Sequence, residues 1–350
     1  MASELMVPVV ELHNVRKHPN ADKMDVAEAL GYQVCLPVGQ YKTGDVVTYF
    51  PADVLLPREW ADKFGVTRLL KGAANDRVGK LRLRGEPSFG LVVACQDPSW
   101  KVGDNVASFF GVKKYLPPLR TGIDEAPRDD QLDPFVQNYT DIQNGRLFVD
   151  VFAPGEEVVV TEKLHGTNCK LGIISGSEFA GSMGVRRTDP GKDKRGQSDY
   201  WYPWSLPGVD AMLHTLVQED KSVRSIQLFG EVYGGRIQNK LIYGVPGNQG
   251  YGFAAFDILV NERYMDWDVF KATCDRFGVE VVPVLFRGPF DSAAVLGMAD
   301  GPAFKGGHVR EGVVVKPVQE RLSPRIGRCV LKYVGTEYDL LQGNSDFRDV

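Results

Sequence analysis

The chain of 350 residues is long enough for two domains with separate cores, and its hydrophobic fraction of 43% is that of an ordinary globular protein. No apolar run reaches the length of a membrane span and the N-terminus lacks the features of a secretory signal, so we expect a cytoplasmic protein without a membrane segment. The formal net charge of −4 argues against a protein that coats nucleic acid by bulk charge, but it leaves room for a local basic surface.

The first 115 residues are predicted to be rich in β-strands. Short apolar runs such as 32–37 and 46–50 alternate with turn signals that contain glycine. Residues 80–85 alternate charged residues with leucine at a period of two, which predicts a half-exposed strand with one basic face. Several short strands in one span predict a small barrel, for which we favour the OB fold.

Positive charge is concentrated in one part of this predicted barrel. We predict nucleic-acid contact for Arg68, Lys71, Lys80, Arg82 and Arg84, because OB barrels often present a basic face to nucleic acid. The alternative is a solvated basic strand on a purely structural domain.

Residues 116–150 are polar and rich in turn signals, and they predict a linker between a domain at 1–115 and a second domain at 151–350. Beyond the linker, strand patterns return and alternate with helical patterns. The helical patterns lie at about 208–220, 266–278 and 290–299. The whole chain is therefore predicted to be α+β, with antiparallel sheets and flanking helices in the second domain.

Two common functional signatures do not occur in the sequence. There is no GxxxxGK[ST], which argues against a P-loop enzyme. The five cysteines lie far apart and form no CxxC pair, which favours free thiols over disulfides or a zinc site.

The most informative segment is 158–168, in which a predicted strand runs into a tight turn and Lys163 stands at the end of the strand. A lone lysine at such a place would by default be a surface residue. Four further segments argue against the interpretation of Lys163 as an ordinary surface residue. They are 229–234 (Phe-Gly-Glu-Val-Tyr-Gly), 256–258 (Phe-Asp-Ile), 311–316 (Glu-Gly-Val-Val-Val-Lys) and 331–334 (Leu-Lys-Tyr-Val).

In this order, the five segments resemble motifs I, III, IIIa, IV and V of the covalent nucleotidyltransferases, which include the ATP-dependent DNA and RNA ligases and the mRNA capping enzymes. DNA ligases and capping enzymes generally carry Lys-x-Asp-Gly in the first motif. Here residues 163–168 are Lys-Leu-His-Gly-Thr-Asn, which resembles the phage and kinetoplastid-editing type of RNA ligase. The predicted N-terminal barrel also resembles the OB module that stands at the N-terminus in one clade of RNA ligases.

The resemblance implies an RNA ligase that uses ATP and Mg²⁺ or Mn²⁺. Lys163 would take AMP from ATP as lysyl-AMP, AMP would pass to an RNA 5′-phosphate, and a 3′-hydroxyl would then displace AMP and seal the strand. The implied partner is RNA with 3′-hydroxyl and 5′-phosphate ends, in a nicked duplex. We expect a monomer whose basic barrel face holds the RNA on its 3′-hydroxyl side.

A lysine attacks the α-phosphate only as the free amine, and neutralising it at cellular pH costs about 4 kcal/mol. Nearby cations lower that cost, and the candidates are Lys316 and Lys332, which would also contact phosphate oxygens. By resemblance, Glu311 orients the water shell of the metal ion. The alternative for Glu311 is a strand-edge glutamate in a surface salt bridge.

The nucleotide contacts follow from the same resemblance. Glu231 would hydrogen-bond the ribose, and Phe256 would stack on adenine, with Tyr251 and Phe253 as rivals and plain core packing as the alternative. Glu162 would help to recognise adenine or would be a solvated neighbour.

The remaining motif residues have less defined roles. Asn168 stands where the family engages the phosphate junction, and His165 would either pack or support a catalytic group. Arg186 and Arg187 occupy the place of motif Ia, whose arginine meets nucleotide or RNA, and which of the two matches is left open.

One position departs from the family pattern. Related RNA ligases usually carry Lys-x-Lys in motif V, whereas the second position here is Val334. Because Lys332 and Val334 alternate onto the same strand face, one phosphate-facing charge is missing. Lys316, Arg328 or an arginine of the 186–195 loop would have to replace it.

Three other functions compete with the RNA ligase. The first is a DNA ligase that tolerates or requires a ribonucleotide 3′-hydroxyl, against which the His165 form of motif I argues. The second is a capping-type guanylyltransferase, which would be labelled by GTP and not by ATP. The third is a non-catalytic RNA-binding OB protein, against which the intact set of Lys163, Glu231, Glu311 and Lys332 argues.

Overall fold

The computed structural model of the chain describes residues 5–115, 136–238, 240–247 and 250–341. The described residues up to 115 form one compact unit, and those from 136 to 341 form a second. Among these residues no helix combines the length and the apolar character that crossing a membrane would require.

The first unit is β-rich, as the sequence predicts. Its strands are β1 (Val9–Glu11), β2 (His13–Lys17), β3 (Met24–Ala29), β4 (Tyr32–Pro37), β5 (Val46–Phe50), β6 (Val54–Leu55), β7 (Lys80–Leu83), β8 (Glu86–Phe89), β9 (Leu91–Ala94) and β10 (Lys113–Lys114). Two short α-helices, α1 (Arg58–Lys63) and α2 (Ala107–Phe110), and a 3₁₀ turn at Thr67–Leu69 complete it.

The strands of the first unit form small antiparallel sheets around two apolar clusters. The sheets have the orders β1-β5-β9, β2-β3-β4, β7-β8 and β10-β6. One cluster surrounds Phe50 and Phe110, and the other surrounds Tyr49. In β7 the basic residues Lys80 and Arg82 are exposed while the leucines between them are half-buried, which confirms the predicted strand with one basic face.

The second unit contains the remaining elements. Its strands are β11 (Gln143–Asn144), β12 (Glu157–Lys163), β13 (Thr167–Ile174), β14 (Ser177–Gly181), β15 (Arg186–Arg187), β16 (Ser225–Tyr233), β17 (Gly252–Val260), β18 (Arg263–Tyr264), β19 (Val284–Pro289), β20 (Gly312–Pro317), β21 (Leu322–Ser323), β22 (Gly327–Arg328) and β23 (Leu331–Val334). Its helices are α3 (Pro207–Glu219), α4 (Trp267–Phe277), α5 (Ser292–Gly297) and α6 (Thr336–Leu341), with 3₁₀ turns at Lys192–Gln197 and Tyr202–Ser205.

Two sheets organise the second unit. One has five strands in the order β11-β23-β20-β12-β19, and the other has six in the order β15-β14-β13-β16-β17-β18. Their pairings are antiparallel except for β11 with β23. Helices α3 and α4 pack on the six-stranded sheet through buried residues such as Met212, Phe270 and Leu228. The α+β prediction is confirmed, and helices lie at all three predicted places.

Residues 136–150, which composition marks as part of a linker, pack on the second unit. Strand β11 pairs with β23, and the Tyr139 hydroxyl donates to Asp257 Oδ2 at 2.5 Å. The backbone N–H of Gln137 donates to the side chain of Gln227 at 3.0 Å. The domain limits 1–115 and 151–350 stay predictions, because residues 116–135 lie outside the described part of the chain.

Candidate active site

A cleft opens between the two sheets of the second unit. Seven of the predicted site residues line it: Glu162, Lys163, Asn168, Glu231, Phe256, Lys316 and Lys332. Further lining residues that the motifs do not indicate are Tyr139, Asp141, Met183 and Trp267.

Lys163 ends β12 inside this cleft, and its Nζ lies 2.7 Å from Glu311 Oε1. The contact follows from strand pairing, because Lys163 is opposite Gly312, the residue after Glu311. Burial opposes ionisation of Glu311, but the charges of Lys163 and His165 outweigh it and hold its pKa below the ordinary value. Glu311 is only 7% exposed, so its salt bridge is a buried one and not a surface one.

His165 is held by contacts with three residues. Its Nδ1 lies 2.8 Å from the Tyr338 hydroxyl and 3.4 Å from Glu311 Oε2. Its backbone N–H donates to the hydroxyl of Tyr243 at 2.8 Å. The histidine therefore links Glu311 to helix α6, a contact across 173 positions of sequence that no local pattern predicts.

The turn after His165 requires glycine. A Cβ on Gly166 would lie 2.2 Å from the backbone oxygen of Val232, which cannot move aside without disturbing β16. The close approach of the turn to β16 explains the glycine of the first motif and brings Lys163 and Asn168 to the same cleft.

Asn168 and Glu231 face one another across β13 and β16, and both are buried in the cleft wall. Among the described residues, Asn168 Oδ1 is a buried acceptor without a hydrogen-bond donor. Such an oxygen is costly to leave unpaired, and it therefore indicates room for a donor on a ligand.

Of the three aromatic residues proposed to stack on adenine, Phe256 alone lines the cleft. Phe253 is buried in the core of the unit, and Tyr251 donates its hydroxyl to Asp199 at 2.5 Å. Phe256 lies edge-on to Tyr139, with ring centroids 4.9 Å apart.

Glu162 is buried, with 1% exposure, so it is not a solvated neighbour of Lys163. Its carboxylate accepts the backbone N–H of Phe304 at 3.0 Å. Burial raises the pKa of Glu162 to about 7, although Arg310 and this hydrogen bond oppose the change.

Lys316 and Arg328 share a buried counter-ion. Lys316 Nζ lies 2.5 Å from Asp257 Oδ1 and donates to the Phe256 carbonyl at 2.7 Å, while Arg328 Nη1 lies 2.9 Å from Asp257 Oδ2. Burial lowers the pKa of Lys316 in spite of Asp257. Of the proposed replacements for the charge missing at Val334, Lys316 lines the cleft and Arg328 does not.

Arg186 and Arg187 form β15 and do not line the cleft. Arg187 is buried, with its guanidinium 5.3 Å from the Tyr200 ring, and Arg186 lies 5.6 Å from the Phe179 ring. Their motif Ia role stays a prediction. Lys170 is a nearby buried cation that the motifs do not indicate, although strand alternation places it on the same face as Asn168.

The five residues predicted to bind RNA all belong to the first unit. Arg68, Lys80, Arg82 and Arg84 are exposed, and Lys71 is half-buried. Exposure leaves these side chains accessible, and their contact with RNA stays a prediction.

Models of known protein families match residues in each of the two units. A family model described as RNA ligase matches residues 156–334, just over half of the chain, and a model of an OB-fold domain matches residues 6–95. No curated protein sequence matches the chain. The OB-fold prediction for the first unit is confirmed.

Solved structures of a Naegleria gruberi RNA ligase are similar to the chain at 20% sequence identity. A mutant with ATP and Mn matches with a TM-score of 0.70, covering 98% of this chain and 100% of that chain. The complex with PPi and a mutant with AMP and Mn each match with a TM-score of 0.71 at the same identity and coverage. These likenesses extend the shared fold over nearly the whole chain.

Proposed function

Because the chain belongs to the RNA ligase family, we propose that it seals RNA ends at the expense of ATP through a covalent lysyl-AMP on Lys163. One observation carries this proposal. Lys163 ends β12 in the cleft with its Nζ 2.7 Å from Glu311, while Lys332 and Asn168 line the same cleft. The similar Naegleria gruberi structures are described with ATP, AMP, PPi and Mn, which are the reactants, products and metal that such chemistry uses.

In the first step the amine of Lys163 attacks the α-phosphorus of ATP, a P–N bond forms and pyrophosphate leaves. Lys163 must lose a proton to attack, and the ionised carboxylate of Glu311 lies 2.7 Å from its Nζ. Lys332 adds positive charge on the same side of the cleft, where negative charge develops on the phosphate oxygens. His165, fixed by Tyr338, holds Glu311 in place.

The residues present fit a divalent metal ion. Glu311 offers a buried, ionised carboxylate, which is the hard oxygen ligand that Mg²⁺ and Mn²⁺ take together with water and substrate phosphates. When bound, the ion neutralises phosphate charge and lowers the cost of a neutral amine at Lys163.

Adenosine is proposed to occupy the part of the cleft lined by Glu162, Glu231 and Phe256. Phe256 presents an aromatic ring to the base, and Glu231 presents a carboxylate to the ribose hydroxyls. Asn168 Oδ1, which lacks a donor among the residues that are described, is proposed to meet the phosphate junction during sealing.

The proposed RNA substrate is a nicked duplex with 3′-hydroxyl and 5′-phosphate ends, whose 3′-hydroxyl side contacts the basic residues of the OB unit. Arg68, Lys80, Arg82 and Arg84 are exposed there. We propose a monomer that works inside the cell, where five free cysteines would stay reduced.

The test is a sealing assay on matched nicked duplexes with RNA or DNA on each side of the nick, with ATP or GTP and with Mg²⁺ or Mn²⁺. The proposal predicts ATP-dependent sealing that requires a 3′-hydroxyl on RNA, and loss of sealing in Lys163→Met. Lys194→Met, which changes an exposed lysine of the same unit, is the matched control and should seal normally. Sealing by Lys163→Met, or a requirement for GTP, would contradict the proposal.

A further inference from the structure

Lys170 is a buried cation that has no acidic partner among the described residues. It is 2% exposed in β13, and its Nζ donates to Asn138 Oδ1 at 2.6 Å and to the Met183 carbonyl at 3.1 Å. Both acceptors are neutral, and within the described ranges no carboxylate forms an ion pair with Lys170. Lysines are almost never fully buried without a paired charge, so a lysine that no carboxylate of the described residues neutralises points to an anionic ligand.

Two other lysines of the site differ from Lys170 in this respect. Lys163 is paired with Glu311, and Lys316 is paired with Asp257. Burial and the charge of Arg186 together lower the pKa of Lys170 to about 8, which leaves it mostly protonated at neutral pH. Buried charges whose pKa is perturbed in this way are concentrated at functional sites.

Strand pairing places Arg186 on the same face of the sheet as Lys170. Lys170 is opposite Gly181 in β14, and Gly181 is opposite Arg186 in β15. Residues directly opposite one another project to the same side of a sheet, so both cations face the side that carries Asn168 and the cleft. Two positive charges in one row raise the local affinity for an anion.

The position of Lys170 relates it to the phosphate junction. It follows Asn168 by two residues on the same strand face, a separation of about 7 Å. Its acceptor Met183 lines the cleft, and its acceptor Asn138 precedes Tyr139, which also lines the cleft. Lys170 therefore belongs to the six-stranded sheet, on the face that Asn168 presents to the cleft, whereas Lys163 and Lys332 belong to the five-stranded sheet.

We propose that Lys170, in a row with Arg186, binds the 5′-terminal phosphate of the RNA while AMP is transferred to it. The inference rests on the proposed function. In this step an oxygen of the 5′-phosphate attacks the phosphorus of lysyl-AMP, a P–O–P bond forms, the P–Nζ bond breaks and Lys163 leaves as an amine that takes up a proton. Lys163 belongs to the five-stranded sheet, and Asn168 and Lys170 belong to the six-stranded sheet, so a 5′-phosphate that attacks in line with the departing amine is proposed to approach along the six-stranded sheet.

A phosphate on that side could also be the pyrophosphate part of ATP in the first step. ATP arrives with a divalent cation that neutralises its phosphates, whereas the terminal phosphate of RNA carries a charge of about −1.5 to −2 without one. A protein cation that no carboxylate within the described ranges neutralises suits the second case.

The experiment separates the three steps in Lys170→Met and Lys170→Gln, with Lys194→Met as the exposed control. The first arm measures labelling of the protein by ATP, the second measures transfer of AMP from preformed lysyl-AMP to a 5′-phosphorylated RNA, and the third measures sealing of RNA that is already adenylylated. The proposal predicts labelling within about twofold of the unchanged protein, and transfer lowered about tenfold to a hundredfold, as on loss of a charge-assisted hydrogen bond. Sealing of adenylylated RNA should fall less than transfer.

Lys170→Arg keeps the charge and should recover transfer in part. Thermal unfolding separates a folding effect from a binding effect, because removal of a buried charge that no described carboxylate neutralises should not lower the melting temperature. Equal loss of labelling and transfer would assign Lys170 to ATP and overturn the inference, as would normal transfer in both neutral variants. Absence of any label on the unchanged protein would instead refute the proposed function itself.

Discussion

Replacement of Glu162 by glutamine should make the protein more stable at pH 8 but not at pH 5. Burial raises the pKa of Glu162 from 4.5 to about 7. Between these values the folded protein keeps a proton that the unfolded chain releases, so the free energy of unfolding falls as the pH rises through this window and stays low above it. The difference in pKa corresponds to about 3 kcal/mol, which sets the upper limit of the effect.

The assay is urea unfolding at pH 5 and pH 8, followed by tryptophan fluorescence. At pH 5 Glu162 is neutral, and the glutamine of the variant keeps an acceptor for the Phe304 N–H, so the two proteins should be similar. At pH 8 the variant should be more stable by up to about 3 kcal/mol. Glu157→Gln, on an exposed residue of the same strand, is the control and should show little dependence on pH. An equal difference at both pH values for Glu162→Gln would refute the reasoning.

Three other substitutions test separate parts of the account. Gly166→Ala should abolish labelling by ATP, because its Cβ would lie 2.2 Å from the Val232 oxygen, while Gly184→Ala, whose Cβ meets nothing within 4 Å, should label normally. Normal labelling of Gly166→Ala would contradict the steric argument. Asp257→Asn should lower the free energy of unfolding by about 3–5 kcal/mol, because Lys316 and Arg328 would lose their shared buried counter-ion. A decrease below about 1 kcal/mol would contradict the role of Asp257 as that counter-ion. The double change Arg82→Gln with Arg84→Gln should weaken RNA binding. The slope of log K against log salt concentration should decrease by about one for each phosphate that the protein no longer neutralises. An unchanged slope would place the RNA-binding surface elsewhere.

Local sequence patterns predict much of the architecture. Alternation of charge and leucine predicts β7 with its basic face, and helical periodicity predicts α3, α4 and α5. The motif order also predicts most of the cleft, because residues at the ends and on matching faces of adjacent strands converge once the strands pair. Lys163, Asn168 and Glu231 meet in this way.

Contacts between distant segments could not be predicted from local patterns. Tyr139 lines the cleft and bonds to Asp257, 118 positions away, although its polar, turn-rich surroundings indicate a linker. The clamp of His165 by Tyr338 and the pairing of Arg328 with Asp257 are also remote in sequence. Such pairs depend on tertiary packing, and neither periodicity nor composition records which buried charge will meet which partner.

The burial of Lys170 illustrates the same limit. A lysine in a strand is expected at an exposed position, yet this one is buried on the face of β13 that it shares with Asn168, without a carboxylate partner among the described residues. The sequence indicates only the face on which it lies. Its depth becomes apparent once β13 stands between β14 and β16.

The most direct measurement is peptide mass spectrometry of the protein after incubation with ATP and Mn²⁺. The account predicts an added adenylate mass on the peptide that contains Lys163, released by acid because the P–N bond is labile, and absent from Lys163→Met. An unmodified Lys163 peptide, or an adenylate found on another residue in the unchanged protein, would contradict the central claim.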